Sequence, residues 1–108
     1  MDEQEKMLLR FNKMLEESIR QANREVIDPT MPPLNVQSVL PVAVMVAKLR
    51  GRYLKAVFEM VEHKKDGLPT EEQINTLREH REAFEEVMAA SQALEHAISR
   101  GYLELASD

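Results

Sequence analysis

The stretch from Val36 to His63 has the most distinctive distribution of apolar residues in the chain. Its first half is apolar nearly all the way round a helical wheel, and the polar positions of the whole stretch fall within about 80°. A helix of this kind is not stable on a surface, because water would meet apolar side chains on most sides. The pattern therefore predicts a central helix over residues 38–63, with Ser38 as its N-cap.

Two further helices are predicted, one on each side of the central helix. Residues 3–26 place their apolar positions in one arc of roughly 120°, with charged residues on the other side. Residues 71–100 carry an apolar stripe from Ile74 to Ile98. We expect both helices to pack along these stripes.

The boundaries of the third helix carry the clearest local signals. Thr70 and Gln73 have the spacing of a capping box, in which each side chain binds the backbone N–H of the other residue. Gly101 is suited to the left-handed position that ends many helices. Asp66 and Gly67 predict a turn before the helix.

A loop at residues 28–35 separates the first two helices. Pro29, Pro32 and Pro33 leave no room for a helix there, because each proline forces the residue before it out of the α-helical region. Proline also fixes its own φ angle, so we interpret the loop as a semi-rigid connector.

These elements predict an all-α fold and a single helical domain over residues 1–108, with a short tail at 101–108. We expect an antiparallel, up-down-up bundle of three long helices. The central helix has more apolar width than two neighbours need. This excess predicts that the chain pairs into a homodimeric helical bundle.

The composition of the chain narrows the classes of function. It has no cysteine, which excludes disulfides and thiolate chemistry. The net charge is −5, which disfavours general nucleic-acid binding. The first residues resemble no signal peptide, and the longest apolar run is far shorter than the roughly 20 residues that span a bilayer, so we expect a cytoplasmic protein without a membrane segment.

The candidate interface lies on the central helix. Gly51 either permits close approach of another helix or marks a bend. Arg50 projects into the apolar arc, where it either extends to solvent or pairs with an acid, or else binds an anionic ligand. The predicted interface residues are Val46, Arg50, Gly51, Tyr53, Leu54 and Val57.

The sequence offers no arrangement typical of catalysis or metal binding. No histidine stands three residues after a glutamate, which is the spacing of carboxylate di-iron bundles. His80 lies on the apolar stripe of the third helix, where a lone histidine is more often a hydrogen-bonded structural residue than a general base. We therefore expect no enzyme activity, no cofactor and no metal.

The resulting hypothesis is a non-enzymatic protein–protein interaction module, such as a small bacterial or phage adaptor, assembly factor or regulator. Its partner would be a second copy of the chain, another protein, or both. One alternative is a nucleic-acid-associated regulator that uses Lys48, Arg52 and Lys55. A second alternative is an acidic inhibitor that docks a ridge on a basic partner, and its ridge consists of Glu79, Glu82, Glu85 and Glu86.

Overall fold

The computed structural model of this chain describes residues 2–62 and 67–106, and most of them are helical. The helices are α1 at Glu3–Ile27, α2 at Val36–Glu62 and α3 at Glu71–Ser99, with a short 3-10 turn at Asp28–Thr30 after α1. Within the described ranges there is no strand. The all-helical class and the order of three long helices are therefore confirmed.

The predicted helix boundaries agree with the structure to within two residues, and the difference at α2 has a physical cause. Asn35, not Ser38, is the N-cap: its Oδ1 accepts the Ser38 N–H at 3.0 Å, while the Asn35 N–H donates to the Ser38 Oγ at 3.0 Å. The earlier start puts Pro41 in the second turn, where its missing N–H leaves one backbone bond unmade. The predicted helix end at His63 and Asp66 of the predicted turn lie outside the described residues.

The chain divides into two compact units. Unit 1 contains residues 1–38 and 95–108, and unit 2 contains residues 39–94. Both α2 and α3 contribute residues to each unit.

In unit 1, the C-terminal tail packs against the loop that follows α1. Leu34 and Leu103 are its buried apolar side chains, each 4% exposed. The Ala106 N–H donates to the Leu34 carbonyl at 2.8 Å, and the Glu104 N–H donates to the Asp28 carboxylate at 3.0 Å. The proline-rich segment is therefore held by the tail as well as by its own stiffness. We call these contacts the tail lock.

Gly101 makes the sharp reversal that sends the tail toward this loop. Its φ is +74°, and the N–H groups of Gly101 and Tyr102 donate to the carbonyls of Ile98 and Ala97. This is the helix ending that the sequence predicts. An added Cβ at Gly101 would lie 3.1 Å from Cδ of Arg20, so that flexible side chain would have to shift by a few tenths of an ångström.

The outer part of α1, residues 3–19, has no covering element in unit 1. Asp2 caps the helix by accepting the Glu5 N–H at 2.8 Å. Every residue from Asp2 to Ile19 is exposed, including the stripe that we expected to pack. The helix is therefore well formed but presents its apolar stripe to solvent.

Unit 2 is a pair of packed helical segments from α2 and α3. Tyr53 stacks on Phe84 with ring centroids 6.2 Å apart. Farther along the pair, Met60 and Leu77 line a groove between α2 and α3. Because residue numbers rise on α2 as they fall on α3, the two segments run antiparallel. Val46 and Ala56 are the buried apolar residues of the pair. At the start of α3, Thr70 and Gln73 make the predicted capping box, with reciprocal bonds of 2.8 and 3.1 Å.

The tail lock generates a stability prediction. Leu103→Ala should lower the free energy of unfolding by about 2–4 kcal/mol, since it removes one of few buried side chains. Leu105→Ala is the matched control, because Leu105 is in the same tail but its side chain is exposed, and it should cost less than about 1 kcal/mol. Urea unfolding followed by circular dichroism measures both, and equal losses would contradict the tail lock.

Candidate functional site

The candidate interface residues divide into an inward group and an outward group. Val46 is buried and the half-buried Tyr53 stacks on Phe84, so both contribute to unit 2 itself. Leu54 and Val57 are exposed. The structure therefore keeps only part of the predicted interface available.

Arg50 extends to solvent, which is one of the alternatives that the sequence left open. It is exposed, and its guanidinium carbon lies 5.2 Å from the centroid of the Phe84 ring. The aromatic face attracts the cation while water solvates its outer side. A buried carboxylate partner is therefore unnecessary.

A continuous apolar face of α2 points to solvent. Its positions alternate by three and four residues, and all of them are exposed. We call this surface the outer face, and it consists of Leu40, Val44, Ala47, Gly51, Leu54, Phe58 and Val61. Leu54 is 53% exposed and Phe58 is 71% exposed. An alternation of three and four residues is the spacing by which one helix packs along another.

Gly51 lies in the middle of the outer face. Nothing lies within 4 Å of the position that a Cβ would take there. Contacts within the chain therefore do not explain a glycine at this position. Glycine also destabilises a helix interior by about 1 kcal/mol relative to alanine. Together with Ala47 it leaves a shallow depression between the larger residues at both ends.

Sequence reasoning found the excess apolar width of α2 but not the outer face as a unit. The heptad spacing from Leu40 to Val61 is the pattern that could have revealed the outer face, but the width of the apolar arc obscures it. Val46 and Tyr53 were assigned to the interface because a helical wheel does not show which side of α2 meets α3.

The basic residues of α2 form an exposed strip. Lys48, Arg52 and Lys55 are all exposed, and the Lys55 amine lies 3.8 Å from the Glu59 carboxylate. This pair reduces the positive field of the strip.

The acidic residues of α3 are also at the surface. The four glutamates of the predicted ridge are exposed, and Glu85 lies 3.9 Å from Arg81. His80 is half-buried. Among the described residues, no cluster of histidine and carboxylate side chains is placed to hold a metal ion.

An open groove in unit 1 carries mixed charges. Lys13, Arg20 and Arg100 line it together with Glu16 and Glu17. Arg20 donates two hydrogen bonds to the Glu17 carboxylate, and these bonds lower the pKa of Glu17 and raise the pKa of Arg20. The Glu17 carboxylate thus offsets the charge of Arg20 within the groove.

Comparisons with models of protein families, with curated proteins and with solved structures find no match for this chain. In the part of the chain that is described, no helix has the length and hydropathy needed to cross a bilayer. The surfaces described above are therefore the basis for inferring a function. The outer face is the most extended of them.

The stacked aromatic pair generates a prediction about unit 2. Phe84→Leu should lower the free energy of unfolding by about 1–2 kcal/mol, because Tyr53 and Arg50 both lose the ring they contact. Met45→Leu is the control, since it changes a large apolar side chain of α2 that is 46% exposed and lies away from both Phe84 and the outer face. Thermal unfolding of both variants tests this, and an equal shift of the two midpoints would refute the role of Phe84.

Proposed function

We propose that this chain is a non-enzymatic protein–protein interaction module that acts through helical surfaces. Its docking surface is the outer face of α2, and it works as a small adaptor, assembly factor or regulator. The observation that carries the proposal is the exposure of all seven outer-face positions at heptad spacing. A surface of this kind is costly to leave in water and fits a partner helix.

The two sides of α2 explain why a partner is required. α3 covers the side that contains Val46 and Ala56. The outer face lies on a different side of the same helix, so α3 does not cover it. A helix that is apolar on two sides needs two neighbours, and unit 2 supplies one.

We propose further that the partner is a second copy of the chain and that the assembled protein is a homodimeric bundle. In that bundle the three helices take the antiparallel, up-down-up arrangement predicted from the sequence. The antiparallel pairing of α2 with α3 in unit 2 supports this arrangement. The small residues at Ala47 and Gly51 support close approach by another helix.

The test is the solution mass of the chain, measured by light scattering over a range of concentrations. The wild-type chain of 12.4 kDa should form a dimer. Leu54→Arg should raise the dissociation constant at least about tenfold, because it places a charge at the centre of the apolar contact.

Met45→Arg is the matched control for this experiment. Met45 is on α2 and is 46% exposed, but it lies away from the outer face. The control variant should remain dimeric with the same helix content by circular dichroism. A wild-type chain that stays monomeric at millimolar concentration, or equal effects of the two variants, would refute the proposal.

A further inference from the structure

The exposed stripe of α1 has the same spacing as the outer face of α2. The stripe positions also alternate by four and three residues, and every one of them is exposed. They are Gln4, Leu8, Phe11, Leu15, Ser18 and Ala22. The chain thus presents two open heptad surfaces, one in each unit.

We propose that these two surfaces bind each other between two copies of the chain. The outer part of α1 from one copy lies on the outer face of α2 in the other copy, and the second α1 makes the same contact in return. This exchange of helical arms rests on the proposed function and names the partner segment. The two-fold arrangement is closed, so it leaves neither surface open for a third copy.

Side-chain size supports an antiparallel alignment of α1 on α2. In an antiparallel pair, each step forward on one helix is a step back on the other. If Leu8 lies opposite Leu54, then Phe11 lies opposite Gly51 and Leu15 lies opposite Ala47. The two largest residues at the centre of the α1 stripe therefore meet the two smallest residues of the outer face.

The same alignment continues toward the other end of the contact. Ser18 falls opposite Val44, and Ala22 falls opposite Leu40. Large and small residues alternate across these layers as they do in a well-packed core. The empty space above Gly51, where nothing lies within 4 Å, receives the Phe11 ring.

The amount of exposed surface agrees with an exchanged dimer. The α1 stripe has three large apolar side chains and the outer face has five, and at on the order of 100 Å² each they give about 1,600 Å² for the whole dimer, which is the size of a stable interface. On the same estimate, pairing α1 with α1 would bury about 600 Å² and pairing α2 with α2 about 1,000 Å², and either would leave the other surface in water.

A mixing experiment distinguishes exchange from pairing of like surfaces. Leu8→Glu damages the α1 stripe and Leu54→Arg damages the outer face, so each variant alone should dimerise at least about tenfold more weakly than the wild-type chain. An equimolar mixture should form a heterodimer, because one of its two contacts is fully wild-type. In its other contact, the introduced glutamate lies opposite the introduced arginine. Native mass spectrometry separates the heterodimer from both homodimers by mass.

Leu9→Glu is the control for the α1 variant. Leu8 and Leu9 are 59% and 56% exposed, but only Leu8 belongs to the stripe. The control should dimerise as the wild-type chain does. A second variant, Gly51→Leu, should also weaken the dimer by filling the space for Phe11, and adding Phe11→Ala should restore association.

Three results would overturn the exchange. A mixture that stays monomeric would show that each contact needs the same surface from both chains. Equal behaviour of Leu8→Glu and Leu9→Glu, with Leu54→Arg still disruptive, would remove α1 from the interface while leaving the proposed function intact. A wild-type chain that stays monomeric at millimolar concentration would refute the exchange and the homodimer on which it rests.

Discussion

The central constraint on this molecule is that α2 is apolar on two sides while the unit that contains most of it supplies one covering helix. Val46 and Ala56 are buried on the side that meets α3, and the aromatic contact between Tyr53 and Phe84 holds that pair together. Polar residues on the remaining side would remove the apolar surface on which another helix could pack. The function proposed for the chain depends on what covers that second side.

The exposed arginine at position 50 shows how this constraint is managed within one chain. A guanidinium group beside an apolar face would be costly if it were buried without a partner. Its stem instead extends over Phe84, so the residue covers part of an aromatic ring and keeps its charge in water. Arg50 thus marks the border between the covered side of α2 and the open side.

Much of the local structure could be predicted from the sequence, because caps and helix endings depend on neighbouring residues. Thr70 with Gln73 and the glycine at position 101 were identified in this way. The choice of Asn35 over Ser38 was not accessible, since both residues are good caps and the Ser38 hydroxyl is engaged by the Pro33 carbonyl. The burial of Leu34 and Leu103 was not accessible either, because isolated leucines in loops have no periodicity. For the candidate site, the width of the apolar arc was predictable, but the side facing α3 was set by contacts distant in sequence.

The tail lock has a consequence for the order in which the chain folds during synthesis. The hydrogen bond from the Glu104 N–H to Asp28 joins residues 76 positions apart, whereas unit 2 is formed by a continuous segment of 56 residues, 39–94. Contacts between distant residues form late, since a long loop must close first. On the ribosome, the loop after α1 therefore emerges before unit 2 but remains without its tail contacts until residues 103–106 have been made. Throughout that interval Leu34, which is buried in the folded unit, is accessible to chaperones and to neighbouring nascent chains.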